Sequence, residues 1–473
     1  MIARRNSLPI GVLLGLCGGL LLFSRYGDYT GVNGQDAHDH WRLAQAWMEW
    51  WGGGQRPLMA EHPHGYPFLG ALVGLSGVGA LWGLRLVSLG AYISLLLVLR
   101  GILVNMHGAD LRRSIDGFLL IAAATAPFLL RYAATVMSDV TAMALLMGAF
   151  LLLLRWLDHG RWPDSLGCVL LGAWALWVRM AVAPVLMVAG AALVVGPSVG
   201  RKSRIHWGAA LIVALGLVIL FFGVTEAVNG RLWVPLADWS PLNMLSRVHR
   251  SDDGELRYFI PNLLYVGKVF VHPGFLLIGP LLMAFVRWED LRHRMSKWVM
   301  AALFSYLCFI ACMPFQNDRV LLLALPFVVL LLFPAYMRLE QWMERRRVPR
   351  SMWLWPLLLA QLVLTGRALW PFMRQAQVER ELAAVVGGSG AEQVYTHGMG
   401  AALSNYCPNK EVIELWYGEL EHMKSGALLV VRPGDLETQW QGLAPAQNWA
   451  IAQRHGMDTV IVHPAGWLVA RLH

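Results

Sequence analysis

The sequence predicts an all-α polytopic membrane protein with a small α/β domain at its C-terminal end. Three observations lead there. The 473-residue chain is 57% hydrophobic and 15% charged, where a soluble protein of this length carries about a quarter charged residues. Apolar runs long enough to cross a bilayer, about 17–25 residues each, recur from the N-terminal region to about residue 370. The last hundred or so residues instead alternate strand-like runs (VYTHG, ALLVVRP, TVIVHPAGWLVARL) with helix-like ones (MGAALSNY, APAQNWAIAQRHG), a pattern of periods two and 3.6.

About eleven transmembrane helices are expected, at 9–24, 80–104, 117–131, 138–155, 165–178, 181–196, 207–225, 263–286, 298–314, 319–337 and 352–370. The first follows Arg4 and Arg5 and resembles a signal peptide, but many spans follow it and no small-residue cleavage site is evident, so it reads as a retained helix. With the N-terminus in the cytoplasm, the inside loops hold Arg112 and Arg113, then Arg155 and Arg161, Arg201 with Lys202 and Arg204, Arg287 to Lys297, and Arg338 to Arg350. This is the positive-inside bias, and it accounts for the net charge of +9 without nucleic acid as a partner. The expected location is the inner (cytoplasmic) membrane. A transmembrane domain of residues 1–371 then exposes outer loops 25–79 and 226–262, and residues 372–473 form the extracytoplasmic α/β domain. Four of the five Cys fall in apolar spans and Cys407 stands alone in the tail, so no disulfide framework is implied. The absence of an internal repeat argues against transporters built from repeated halves.

Chemistry concentrates in the first outer loop. The stretch GQDAHDHWRLAQAW brings Asp36, His38, Asp39 and His40 together, and EHPHGYP adds Glu61, His62, His64 and Tyr66. On a helix, Asp36, Asp39 and His40 share one face. A carboxylate there either takes a proton from an acceptor or serves as a helix-start charge on a solvated face. The ligand types also suit a divalent metal, with His38 and His62 as candidates, although no spacing matches a metal signature. No Gly-rich phosphate loop is present: Gly52–Gly54 has no following Lys-Ser/Thr. Arg179 interrupts a long apolar stretch that suits two short helices, and Arg131 and Arg319 lie where spans reach the outer face, beside Asp139 and Asp318. Charges at this depth are costly. They serve either as bidentate phosphate ligands or as snorkelling interfacial residues.

These segments, in order, resemble the polytopic glycosyltransferases of the GT-C fold, most of all the branch containing protein O-mannosyltransferases and the lipid A aminoarabinose transferase. DAHDHWRLA resembles that family's Asp-led outer helix, with Asp36 at the leading position and Leu43–Ala44 at its apolar-Ala pair. EHPHGYP resembles its His-Pro segment, GLRLVSL places Arg85 at its second-span arginine, and RYAATVMSDVTAMAL resembles the segment before its fourth span. ALWVRMAVAPVLM and NDRVLLLALPFVVLLL resemble its later arginine-containing motifs. The match covers residues 1 to about 340; Ala37 and His40 depart from the family's frequent Glu and Tyr.

The resemblance implies an inverting transfer of a sugar from a polyprenyl-phosphate donor to a lipid, glycan or protein acceptor outside the membrane. Asp36 would be the base, with Asp39 the second choice. Arg131, Arg179, Arg319 and Arg85 would hold the donor phosphate, and His40, Glu61, His62, His64, Tyr66 and Asp139 would line the cavity. No cofactor is required beyond a possible divalent ion. A lipid flippase or transporter without chemistry is the alternative; it would carry acids at the centres of its spans, where this chain has almost none.

Overall fold

The computed structural model describes residues 10–57, 62–195, 239–251, 254–292, 294–416, 420 and 423–473. Glu61, the expected span at 207–225 and residues 226–238 of the second outer loop lie outside the described residues. Among the described residues, four helices are long and apolar enough to cross a bilayer, or five if one pair bent by 66° counts as a single span. The chain is a multi-pass membrane protein. Its helical part comprises α1 (Ile10–Tyr26), α2 (Gly34–Trp51), α3 (Gly65–Val73), α4 (Gly79–His107), α5 (Arg112–Leu119), α6 (Pro127–Ala134), α7 (Asp139–His159), α8 (Trp162–Val178) and α9 (Ala183–Val195). After a run of short turns come α10 (Arg294–Ala311), α11 (Asp318–Leu321), α12 (Leu325–Arg345) and α13 (Arg350–Gly388).

Several expected spans are broken, for identifiable reasons. The stretch expected as one helix at 263–286 is four pieces, Asn262–Tyr265, Lys268–Val271, Pro273–Leu276 and Gly279–Met283. His272 before Pro273 is extended (φ −81°, ψ 129°), as proline demands of the residue preceding it. Ala126 before Pro127 is likewise extended (φ −62°, ψ 120°), which produces the bend between α5 and α6. The span expected to begin at 80 is reached by an apolar run that already starts at Gly65. There α3 folds back on α4: the Tyr66 hydroxyl donates to the Leu84 carbonyl at 3.1 Å and meets Ser88 Oγ at 2.8 Å. The reversal uses Gly77 at φ 97°, a left-handed conformation that glycine adopts freely.

Burial orders these helices. The apolar windows of α7 and α12 are 78% and 83% buried, against 22% for α13, so α7 and α12 form the centre and α13 a peripheral wall. At 39 residues α13 is about 58 Å long, nearly twice the hydrocarbon thickness of about 30 Å. It therefore leaves the membrane and continues into the C-terminal region, and the expected domain boundary at 371/372 falls inside it. That region holds a five-stranded sheet of order β4-β3-β5-β7-β6, with β3 (Gln393–Thr396), β4 (Glu411–Glu414), β5 (Leu428–Val431), β6 (Met457–Val462) and β7 (Leu468–Leu472). The first three are mutually parallel, and β7 runs antiparallel to β5 and β6. Helix α14 (Gly400–Tyr406) crosses from β3 to β4, and α15 (Ala444–His455) precedes β6. A separate hairpin, β1 (Val248–Ser251) with β2 (Gly254–Arg257), leans on this region through Glu255 N–H to the Gln439 carbonyl at 3.0 Å.

The α3–α4 hairpin turns on one close approach. A Cβ on Gly83 would lie 2.0 Å from the Gly70 carbonyl oxygen and 2.8 Å from the Gly74 nitrogen, whereas a Cβ on Gly90, one helix stretch further along, meets nothing within 4 Å. Gly83→Ala is therefore expected to destabilise the protein by about 1–3 kcal/mol through overpacking. Gly90→Ala is expected to be neutral or stabilising by up to about 1 kcal/mol through helix propensity. Thermal unfolding of both variants in detergent checks this.

Candidate active site

Helix α2 brings the acidic stretch to the bundle because its apolar Ala37, Leu43, Ala44 and Trp47 recur at helical spacing and are buried, together with His38 and His40. Asp36 falls in its first turn, where a negative charge faces the positive end of the helix dipole. Asp139 opens α7. Arg179 is an extended residue (φ −159°, ψ 116°) between α8 and the tight turn Met180–Val182. Arg319 sits in the first turn of α11, its backbone N–H donating to the capping Asn317 side chain at 2.9 Å.

These four residues meet. Asp139 Oδ1 is 2.9 Å from Arg179 Nη1, and its Oδ2 accepts from Arg319 Nε at 2.6 Å. Arg319 Nη1 reaches on to Asp36 Oδ2. Two carboxylates face two guanidiniums, so this buried group is neutral overall, the condition under which charges persist away from water. The Asp139 side chain is 0% exposed and that of Asp36 is 36% exposed. Of the two acids, only Asp36 opens to an incoming molecule.

His62 completes the mouth. Its Nε2 is 3.3 Å from Asp36 Oδ1 and 3.8 Å from Asp39 Oδ2, and Arg42 donates to Asp39 Oδ1 at 2.7 Å. Burial opposes ionisation of Asp36, but the His62 hydrogen bond and the Arg319 charge outweigh it and hold the carboxyl well below the usual carboxylate range. Burial also opposes a charged His62, yet the hydrogen bond to Asp36 and the two aspartate charges raise it above its ordinary value. His40 is held well below its ordinary value, by burial first and then by the charge of His62. It packs against His62 and Tyr66 at ring distances of 5.2 and 5.1 Å.

A second cluster lies alongside. Lys268 Nζ and the Tyr265 hydroxyl both donate to Asp318 Oδ1, at 2.7 and 2.9 Å. The Arg131 guanidinium lies over Phe128, Tyr132 and Phe372 at 4.3 to 4.7 Å and donates to the Tyr132 hydroxyl at 2.7 Å. His272, stacked on Phe128 at 5.3 Å, feels the charges of Lys268, Asp318 and Arg131 together. Among the described residues Arg131 has no carboxylate partner, and its Nε has no hydrogen bond.

No protein-family model matches the sequence and no curated protein matches it. Solved structures do. ArnT from Cupriavidus metallidurans bound to undecaprenyl phosphate aligns over 98% of both chains with a TM-score of 0.56 and 12% identity. The same protein in its apo state aligns over 91% of this chain and 92% of its own, with a TM-score of 0.54 and 14% identity. The archaeal oligosaccharyltransferase AglB from Archaeoglobus fulgidus, in complex with an inhibitory peptide and a dolichol-phosphate, aligns over 98% of this chain and 74% of its own, with a TM-score of 0.53 and 10% identity. The chain has the GT-C glycosyltransferase fold.

Within this fold the residues singled out in the sequence separate into three groups. Asp36, Asp39, His40, His62, Asp139, Arg179 and Arg319 converge on one site. Asp139, adjacent in sequence to the Arg131 segment, pairs with Arg179 and Arg319 instead, and Asp318 turns from Arg319 to Lys268. Arg131 stands in the neighbouring cluster; Tyr132 feels its charge and those of Asp139 and Arg319. Tyr66 borders the site through His40, whereas Arg85, His64 and His38 are elsewhere. Arg85 is buried against Trp82, 4.7 Å to the ring. His64 Nδ1 accepts from Trp47 Nε1 at 3.1 Å, and burial pulls its pKa down to about 4. Tyr66 locks the α3–α4 hairpin. His38 Nε2 meets Glu379 at 3.1 Å, and its Nδ1 is 3.2 Å from Asn405 Nδ2, so the two expected metal ligands face different partners. No group of three or more His, Cys, Asp or Glu among the described residues is arranged to hold a metal ion.

Sequence reading passed over Lys268, Tyr265, Glu379 and Asn405. Lys268 carried a usable signal, since it is the one charge in YVGKVFVHPGFLLIG and obeys the same depth argument applied to Arg179. Glu379 and Asn405 carried none: each acts on His38 across more than 300 residues of sequence.

Two consequences are measurable. Asp139→Ala leaves buried guanidiniums uncompensated and is expected to cost about 3–5 kcal/mol. Asp39→Ala, whose main partner is the exposed Arg42, is expected to cost less than about 1 kcal/mol. Thermal unfolding compares them. The His62–Asp36 pair also has a pH signature. Asp36 is depressed, so its contribution is present above the ordinary carboxylate range, about 4, and fades as pH falls from there toward its lowered value. His62 is raised, so its contribution is full below the ordinary imidazole value, about 6.5, and is lost as pH rises through the raised one. The Tm difference between the parent protein and His62→Gln is therefore expected to be larger at pH 6 than at pH 9.

Proposed function

We propose that the protein is an integral-membrane inverting glycosyltransferase that moves a sugar from a polyprenyl-phosphate donor to an acceptor outside the cytoplasmic membrane, with Asp36 as the base. The observation that carries this reading is the junction of Asp36 and Arg319: an accessible, ionised carboxylate shares a guanidinium with a fully buried acid, at the mouth of a membrane-embedded bundle. The ligands named for the similar structures, undecaprenyl phosphate in ArnT and a dolichol-phosphate in the AglB complex, are of the donor class that such a site suits.

The proposed step balances as follows. The acceptor's O–H or N–H attacks the anomeric carbon while its proton passes to Asp36. The bond from that carbon to the phosphate oxygen breaks, and its electron pair stays on the phosphate. Arg131, which no carboxylate among the described residues neutralises, and Lys268, shared with Asp318, supply positive charge for the leaving phosphate, with Arg179 and Arg319 behind them. Arg319 links the two halves of the step. A phosphate that takes a hydrogen bond from Arg319 competes with Asp36 for it, which raises the basicity of Asp36 when donor is bound. The sugar, the acceptor and any divalent ion are left to experiment.

The test uses purified protein with a panel of polyprenyl-phosphate sugars, following release of polyprenyl phosphate by mass spectrometry. Asp36→Asn is expected to lower release by about 10²–10⁴-fold, the range for a positioned base, while Asp39→Asn retains release within about tenfold of the parent, because Asp39 is already engaged by Arg42. The opposite ranking moves the base to Asp39. No release from any donor, together with lipid movement in liposomes, replaces the transferase by a flippase.

A further inference from the structure

The face of α13 turned away from Asp36 forms one wall of a groove of about 1220 Å³, whose other walls are the outer end of α1 and the β6–β7 turn. Positions 363, 367, 370, 374, 377 and 381 follow helical three-and-four spacing and share this face, opposite the face that carries Gln361, Thr365 and Glu379 into the bundle. The groove's acids are already engaged: Asp28 pairs with Arg380 at 3.2 Å, and Glu381 meets His463 at 2.8 Å and Gln377 at 2.8 Å. Arg367 and Arg374 are exposed and have no acidic partner among the described residues. Two unmatched cations therefore face the same cavity.

Between the two arginines at Trp370, and beyond Arg367 at Val363 and Leu359, the surface is apolar and exposed. Trp370 is 61% exposed, Val363 and Leu359 64% each, and Leu22 on α1 73%. Simple snorkelling would carry each arginine outward to water. Here both line a cavity that an apolar stripe enters from the membrane side, which is the shape of an amphiphile with an anionic head.

We propose that this groove binds an anionic membrane phospholipid, whose phosphate meets Arg367 and Arg374 while its acyl chains lie along Trp370, Val363 and the outer end of α1. Helix α13 separates it from the Arg131 cluster, since Phe372 packs on Arg131 from the same helix at 4.7 Å. The site is distinct from the one proposed for the donor, and it stands whether or not sugar transfer is the activity. Glu379, on the opposite face of the same helical stretch, accepts from Gly34 N–H at 2.8 Å and meets His38. An occupant of the groove thus presses on the element that holds α2.

The experiment is native mass spectrometry of the delipidated full-length protein, titrated with phosphatidylglycerol or with phosphatidylcholine of the same acyl chains. The parent is expected to retain phosphatidylglycerol at least about tenfold more tightly. R367Q and R374Q are each expected to weaken it by about fivefold, the factor one basic residue contributes beside anionic lipid, with an unchanged Tm because both side chains are exposed. R112Q/R113Q, a pair expected on the cytoplasmic side, controls for net charge and is expected to bind as the parent does. Equal retention of the two lipids overturns the proposal, as does equal weakening in the control. Displacement of the lipid by inorganic phosphate at equal concentration also overturns it, by reassigning the arginines to a free anion.

Discussion

The buried carboxylate of Asp139 is the constraint on which the rest of the site depends. It lies at the start of α7, the most enclosed stretch of the bundle but one, and draws in two arginines that no other feature would hold there. Arg179 comes from a break between two helices and Arg319 from the first turn of another. Neither break has a capping reason strong enough to fix a long side chain. The charge does it, because an isolated ion at this depth costs several kcal/mol, so Asp139, Arg179 and Arg319 are stable only together. Three separate chain segments are pinned at one point, and the second guanidinium nitrogen of Arg319 is left over to orient Asp36.

A second joint holds the acidic helix from behind. Glu379 on α13 accepts from the Gly34 N–H and from Gln375 Nε2 at 2.8 and 3.0 Å, and meets His38 at 3.1 Å. Asn405 in the C-terminal sheet region closes on the other side of His38, donating to its carbonyl at 2.9 Å. The start of α2 is thus gripped by α13 and by the C-terminal sheet region that follows it. The C-terminal region is in this sense a structural support for the start of α2.

How much of this was legible depended on the range of each interaction. Local signals read well: α2 forms where DAHDHWRLA predicts it, and the strand-like and helix-like runs of the tail became β3, β5, β6, β7, α14 and α15. What local patterning could not supply was pairing. Asp139 and Asp318 each have an arginine within reach in sequence, yet Asp139 chose Arg179 and Arg319 and Asp318 chose Lys268, because burial and the direction of each helix start decide which charges meet. Span length misled for a related reason. Hydropathy over 263–286 reads as one helix, but His272-Pro273 and the flanking glycines divide it, and a moving average of apolarity does not register a missing N–H. Strand β4 was missed because EVIE is short and acidic, and its position is set by β3 beside it.

The shared arginine also resolves a difficulty in the proposed chemistry. A carboxylate held far below its ordinary range is a weak base, and Asp36 in isolation fits that description. Its depression, however, is the work of neighbours, His62 and Arg319, and not of its own position, since burial acts the other way. Neighbours can be recruited elsewhere. In the proposed chemistry the donor is a phosphodiester with one negative charge; arriving beside Arg319 it would draw part of that guanidinium's field to itself, and the neutral quartet would become one negative charge richer. Arg131 would be the cation to restore balance, because among the described residues aromatic faces and a hydroxyl, not a carboxylate, surround it. In the proposed chemistry, an Arg131 without a carboxylate among the described residues and an Asp36 held by two neighbours are two sides of one arrangement: the donor's phosphate would meet the first and, by drawing on Arg319, would free the second.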